Sequence, residues 1–294
     1  MAASEALSLV ALTLADVAGG LALSGAAGWN QTADDWALFI EQGHAIGFRT
    51  ASGTLVATAA AIVYGGGLGW ISMVLVAHDW RHRGLASLLM DSCLKRLQAA
   101  HITPVLDATP AGEPVYRHLG FRTGFELERW QGMTVPPASA SASASASASA
   151  PAPAAEVRVA GTADFDAIAE LDLVAHGVGR RALLQSLFAR HDTRAWMARD
   201  GSGFLLARAG RRATQIGPLV ARDAGVAIEM LSAAVHAIAG PIFLDVPKRW
   251  SELATWLERL AFVRQRPYVR MSLGAAAPLA CGDRMFVLAG PEFG

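Results

Sequence analysis

Residues 136–155 read PPASASASASASASAPAPAA. The alternation of Ala and Ser has the period of a strand, but it contains nothing large enough to bury, and the flanking prolines remove backbone donors and interrupt any helix or ladder. The segment is expected to be a disordered linker. It divides the 294 residues into a half at 1–135 and a half at 156–294, each long enough to bury its own core.

On either side of the linker, short apolar runs alternate with amphipathic stretches, the pattern of an α/β (α+β) chain with helices flanking a mixed sheet. LSLVALTLAD predicts a strand that runs into a helix of small residues through Ala27. TADDWALFIEQG predicts a second helix, with Thr32 and Asp35 spaced as a capping box. HAIGFRTASGTLVATAAAIVYG and GWISMVLVAHD supply three strands. GLASLLMDSCLKRLQAA is an amphipathic helix with Leu85, Leu88, Leu89 and Leu97 near helical spacing. TPVLDAT is a short buried strand, PAGEPVYRHLG a helix with Pro110 early in it, and FRTGFELERW a last strand. The second half repeats segments of this order. PIFLDVP, 241–247, echoes PVLDATP, 104–110, and SELATWLERLAFVRQRPYVRMSL echoes GEPVYRHLGFRTGFELERW. A duplicated fold with strongly diverged copies accounts for both.

A mean hydropathy of +0.33 raises the question of a membrane span. Residues 55–77 carry no charge over a length that would cross a bilayer. YGGGLGW interrupts that run at Tyr64–Trp70, so two buried strands joined by a turn are expected instead. MAASEALSLVALTLAD carries Glu5 and Asp16 and no basic region, which does not fit a signal peptide, so a cytoplasmic protein off the membrane is expected. The 25 basic residues equal the 25 acidic ones, leaving no electrostatic footprint for nucleic acid. Cys93 and Cys281 show no metal-ligand spacing and read as buried thiols of a reducing compartment.

Within this pattern VAHDWRHRGLASLLM, 76–90, is anomalous. A strand-like run ends, Arg81, His82 and Arg83 crowd together, and Gly84 opens a helix. Free N–H groups at a helix start, backed by the helix dipole, form an anion site. Gly84 lets an anion approach the backbone closely, and Ala86 keeps the first turn small. Cations at a helix N-terminus are slightly unfavourable unless an anion sits there, so the pattern predicts a bound phosphate over a solvated basic turn.

These residues resemble motif A of the GNAT N-acetyltransferase superfamily, roughly V-x-P-x-[aromatic]-[RQ]-x-x-G-x-[GA]. Val76, Trp80, Arg81, Gly84, Leu85 and Ala86 match, while His78 stands where proline is frequent and His82 where glycine is. The resemblance implies acetyl-CoA as co-substrate and no metal. It places Arg81, His82, Arg83, Gly84, Leu85, Ala86 and Ser87 around the pyrophosphate, and Val74, Leu75 and Val76 beside the pantetheine arm. VYRHLGF, 115–121, resembles the superfamily's Tyr-x-x-x-Gly-Phe signature. That implies a general-acid role for Tyr116 toward the departing thiolate; the alternative is a packing residue whose hydroxyl meets a backbone partner.

GWNQTADDW, WISMVLV and LDATPAGEPVY are similar to a bacterial subfamily with two GNAT-like domains, the first intact and the second degenerate. The likeness is dense over 28–130 and looser from Glu156 onward, where the ending LAGPEFG also fits. Trp29 and Asn30 then line the acceptor pocket, or serve as an apolar anchor and a cap. Asp107 orients the amine, or caps the helix entered at Pro110.

The second half departs from the pattern. Its loop ARDAG lacks the Arg-x-x-Gly core, Pro218 removes a strand donor, and Leu257 matches Tyr116. One acetyl-CoA per chain is expected, with the second half shaping the acceptor site or an interface. The implied reaction moves an acetyl group to a primary amine of a small molecule or peptide by direct attack in a ternary complex. A backbone N–H near Leu75 would stabilise the oxyanion. Glu41, His44, Asp107 and the C-terminal carboxylate of Gly294 are the candidate bases. The rival reading is a non-catalytic acyl-CoA-binding regulatory module. Acceptor and oligomeric state stay open.

Overall fold

The computed structural model describes residues 6–135, 157–274 and 282–294. The linker reading of 136–155 and the surroundings of Cys281 lie outside them. The first half runs β1 (Leu7–Ala11), α1 (Val17–Ala26), α2 (Ala33–Glu41), β2 (Gly43–Thr50), β3 (Leu55–Tyr64), β4 (Leu68–Val76), α3 (Leu85–Ala99), β5 (Thr103–Ala108), α4 (Glu113–His118) and β6 (Arg122–Thr134). The second runs β7 (Val157–Val159), α5 (Phe165–His176), α6 (Arg181–Phe188), β8 (Arg194–Ala198), β9 (Gly203–Arg208), β10 (Thr214–Ala221), α7 (Ala224–Ala237), β11 (Gly240–Pro247), α8 (Ser251–Arg259) and β12 (Val263–Ser272), with β13 (Met285–Val287) added. Element for element the two series are the same, so the duplication legible at the echoes extends over each half.

Local chemistry sets the elements. The Thr32–Asp35 capping box closes, with Thr32 N–H on Asp35 Oδ2 at 2.8 Å and Asp35 N–H on Thr32 Oγ1 at 3.4 Å. The uncharged run at 55–77 is a hairpin of β3 and β4, turned by Gly66 and Gly67 at φ 70° and 77°. On α3 the buried stripe is Leu85, Leu89, Met90, Cys93, Leu94 and Leu97; Leu88 faces outward, contrary to the expected stripe. α4 starts at Glu113 instead of near Pro110. Thr109 Oγ1 accepts from Gly112 N–H at 3.3 Å, and Pro114 takes the early helical position where no donor is required. Among the described residues no helix is long and apolar enough to cross a membrane.

The described strands form one mixed sheet, ordered β1-β2-β3-β4-β5-β12-β6-β11-β10-β9-β8-β7, with β13 beside β10. The order reads the same from both ends except that the last strands are exchanged. β12 of the second half lies against β5 of the first, and β6 of the first lies against β11 of the second. Each exchange carries one buried ion pair between directly opposed residues. Arg270 on β12 grips Asp107 on β5 with two bonds of 2.8 Å. Arg129 on β6 grips Asp245 on β11 at 2.8 and 2.7 Å. The echoed Leu-Asp of PVLDATP and FLDVP therefore supplies one carboxylate to each junction. Buried pairs add little net stability, but a slip of one residue would leave lone charges in the interior, so the pairs specify register.

One apolar cluster lies under α3 and α4 and takes in Met271 from the exchanged β12, and one lies under α7 and α8 and takes in Trp130 from β6. A third is shared: Trp36, Phe39 and Trp70 of the first half pack with Ile168, Leu183 and Phe293 of the second. The segment after β13 enters this shared core. Phe293 stacks on Phe39 at 5.0 Å, Tyr64 Oη donates to Phe293 O at 2.8 Å, and Trp70 Nε1 donates to Pro291 O at 3.1 Å.

Candidate active site

β4 and β5 run parallel but pair only where Leu68–Trp70 meets Thr103–Val105. Beyond that point they part. β4 also shifts register against β3 between Thr58 and Ala60, and Met73 in this bulge has φ 54°. A left-handed conformation costs an L residue roughly 1–2 kcal/mol. Thr58, fully buried, holds the bulge by donating to Met73 O at 2.9 Å. The divergence leaves Val74, Leu75 and Val76 without a strand on the β5 side.

β4 delivers the chain to the loop before α3. The amides of Trp80 and Arg81 bond back to Ala77 and His78, and the first helical bond runs from Leu88 N–H to Gly84 O at 3.1 Å. The amides of Leu85, Ala86 and Ser87 precede that bond, and no side chain caps them. Gly84 has φ 78°, and a Cβ placed on it would meet nothing within 4 Å, so the space before the helix is open. His82 has φ 61°, which explains why glycine is the frequent residue at this position of the motif. Arg81 and Arg83 are exposed. Arg81 Nε donates to Val76 O at 3.3 Å and Arg83 to Asp79 O at 3.0 Å, so each braces the loop. Open space, uncapped amides and a helix dipole suit a diphosphate.

The corresponding turn of the second half has no such space. Only Arg222 and Asp223 separate β10 from α7, and the Asp223 carboxylate caps the helix by accepting from Val226 N–H at 3.0 Å. Arg222 is paired with Asp200 and Asp223, each at 3.1 Å. The chain's own carboxylate takes the anion position.

A pocket occupies the β4–β5 gap, and both halves line it. Tyr116 enters from α4. Its ring packs on Phe121 at 5.9 Å and over Gly112, where a Cβ would come within 2.9 Å of the ring. Its hydroxyl makes no hydrogen bond among the described residues, so the backbone partner of the packing alternative is not seen. Burial pushes the phenol up to about 12. Its structural counterpart is Leu257: Phe121 N–H bonds Tyr116 O, and Phe262 N–H bonds Leu257 O, each at 3.0 Å.

Glu292 enters from the segment after β13. It is 8% exposed and accepts from Arg208 at 3.1 Å through Oε1, while Oε2 makes no hydrogen bond among the described residues. Burial holds this carboxyl above the usual range, against the pull of Arg208 and Arg129. Gly290 makes room for it, since a Cβ there would lie 2.7 Å from Oε1. Three further polar atoms of pocket residues are buried without a partner among the described residues: Gln31 Oε1, Ser72 Oγ and Arg266 Nε. Each such atom costs about 1–3 kcal/mol unless a ligand or water satisfies it.

Of the residues singled out in the sequence, Trp29 and Tyr116 line this pocket together with Val74. Asn30 does not. Its side chain accepts from Arg212 and Ala213 N–H at 2.9 and 3.1 Å and donates to Ala213 O at 3.0 Å, latching the two halves together. Asp107 borders the pocket but is committed to Arg270, so it caps no helix and both its oxygens are engaged. The other expected bases lie elsewhere. Glu41 is exposed on α2, His44 is on β2 within the field of Arg96, and the Gly294 oxygen accepts from Arg180. Gln31, Arg266 and Glu292 were not expected. Gln31 adjoins two residues that were, and Glu292 sits in LAGPEFG, where a resemblance was visible without a role.

Two models of the acetyltransferase (GNAT) domain match the chain, over residues 25–133 and 168–286. A relative from Bacillus subtilis (strain 168), the uncharacterized N-acetyltransferase YitH, is 25% identical over 260 residues, spanning 86% of this chain and 87% of the relative. A putative acetyltransferase from Pyrococcus horikoshii superposes with a TM-score of 0.79 at 18% identity, over 98% of this chain and 96% of that one. A tandem GNAT protein from the clavulanic acid biosynthesis pathway gives 0.61 at 13% identity, over 92% and 99%. At these identities the two structures speak for the fold alone.

Proposed function

This chain belongs to the GNAT acetyltransferase family and carries one such domain in each half, and from that premise we propose that it moves an acetyl group from acetyl-CoA to a primary amine by direct attack in a ternary complex. The observation that carries the reading is Tyr116, whose hydroxyl is unpartnered in the pocket at the open end of the β4–β5 gap. The loop from Arg81 to Ser87 would hold the pyrophosphate, and the free edge at Val74–Val76 the pantetheine. Acetyl-CoA brings the activated carbonyl; nitrogen bonds to that carbon, the carbon–sulfur bond breaks, and one proton passes in net from nitrogen to sulfur.

Each residue then has a distinct task. A backbone N–H near Leu75 stabilises charge on the carbonyl oxygen. Tyr116 hydrogen-bonds the departing sulfur. With a phenol near 12 and an ordinary thiol near about 8.5, complete transfer from Tyr116 is uphill, so the phenol keeps its proton and donates a hydrogen bond, and the proton that the sulfur finally carries comes from the attacking nitrogen. A binding module without turnover has no use for a phenol left without a partner in the same pocket as a carboxylate with one oxygen to spare.

The test is thiol release from acetyl-CoA with a panel of amines: amino acids, polyamines, aminoglycosides and Lys peptides. Amine-dependent release is expected. Tight CoA binding with no release for any amine would favour the regulatory-module reading.

A further inference from the structure

The acetyl end of the pocket carries no charge, since a thioester is neutral and the pyrophosphate belongs to the loop before α3. The lining from the second half is charged, with Arg266 and Glu292. Of the arginines around it, Arg129 is gripped by Asp245, Arg270 by Asp107, and Arg208 by Glu292. Arg266 has no carboxylate among the described residues. The acidic residues of the facing strand are taken, Glu128 by Arg264 at 2.8 Å and Glu126 by Lys248. In register Arg266 stands opposite Arg129, whose charge Asp245 already balances, so the cross-strand neighbour offers Arg266 no carboxylate. Its planar group lies over the Tyr268 ring at 5.2 Å, with Nε buried and unpartnered. An unpaired guanidinium in a pocket is a seat for an anion, and a carboxylate matches its fork.

The same pocket presents two acceptor atoms suited to an ammonium. Gln31 is 4% exposed and its Oε1 has no donor among the described residues. Glu292 offers its second oxygen. One cation and one carboxylate facing a single small space describe the complement of a zwitterion.

We propose that the acceptor is a free amino acid or a close analogue, its carboxylate held by Arg266 and its amine set against Gln31 and Glu292. This rests on the amine-acetylating reading above. Glu292 takes one proton from the ammonium and passes it to solvent, which frees the nitrogen lone pair for attack. After transfer the carboxylate of the N-acetyl product still pairs with Arg266, while the amide nitrogen no longer holds Glu292, so affinity drops on the amine side.

The experiment compares the twenty common amino acids with their α-carboxamides, as acceptors in thiol release from acetyl-CoA and as ligands in calorimetry with the full chain. At least one amino acid should exceed its carboxamide by about 10²-fold in kcat/KM, the scale of a lost buried charge pairing. The Arg266→Met variant should bring that ratio close to one with its CoA affinity kept, and Arg266→Lys should give an intermediate ratio. Direct binding of the preferred amino acid should weaken in parallel. Equal or better use of carboxamides, or a preference for O-phosphoethanolamine over every amino acid, overturns the carboxylate assignment and leaves amine acetylation standing. No release with any amine overturns both. The comparison of amino acid with carboxamide needs no variant, so a misfolded Arg266→Met chain does not protect the proposal.

Discussion

The role proposed for Tyr116 depends on a hydroxyl that the fold leaves without a partner among the described residues. Gly112 admits the ring, Phe121 fixes its tilt, and burial keeps the phenol protonated through the range in which amines are acetylated. Replacing it with Phe preserves the packing and deletes only the donor. Tyr116→Phe should lower kcat by roughly 10²-fold while the Kd for CoA stays nearly constant. Because a raised phenol loses its proton only near about 12, the native enzyme should show no falling limb from Tyr116 between neutral pH and pH values well above it. A kcat equal to that of the native chain, measured where chemistry is limiting, would return Tyr116 to a packing role. Tyr116 was legible in the sequence because its motif is local: six consecutive residues fix the helix, its end and the ring's neighbour. Arg266 and Glu292 were not, since the echo and the resemblance around them assigned them no role and both reach the pocket from more than a hundred residues away. Asn30 was misread for a related reason. Its hydrogen-bond partners at 212 and 213 lie on the other half, and a residue's partners across a duplicated fold cannot be read from its own neighbourhood.

At the scale of elements, the strand–loop–helix unit of β4 and α3 could be read in advance because glycine, apolar run and helix spacing are all short-range signals. The exchange of β12 and β6 could not. Both are strands on any reading, and period-2 patterning says that a strand is paired without saying with which neighbour. What specifies the exchange is the pair of buried ion bridges, Asp107–Arg270 and Asp245–Arg129, whose carboxylates were visible as an echo and whose arginines looked like ordinary strand residues. Arg270→Met leaves Asp107 buried and unpaired, and it should destabilise the chain by about 3–5 kcal/mol. Adding Asp107→Leu to that variant should restore most of the loss, because a buried pair replaced by apolar residues of similar volume is close to neutral. Denaturant midpoints of the two single variants and the double variant check this. A single variant as stable as the native chain would show that the bridge does not hold the junction.

Across the whole molecule, the copies differ at the start of the helix after the fourth strand: it is open and uncapped before α3, and capped by Asp223 before α7. The β10–α7 turn is short, and Asp223 occupies the helix start where a phosphate would sit. The second half instead contributes β12 and the terminal segment, which carry Arg266 and Glu292 to the pocket of the first. Neither half is then a complete unit. Cut apart, β5 would lose β12 and β6 would lose both of its partners, β11 and β12, and unpaired edges invite aggregation. The central claim is therefore a single acetyl-CoA site, built on the first half and completed by the second. Calorimetric titration of the full chain with CoA tests it most directly. One equivalent should bind, and the Gly84→Glu variant, which puts a carboxylate into the open space before α3, should bind none while remaining folded. Two equivalents per chain, or undiminished binding by folded Gly84→Glu, would contradict the account.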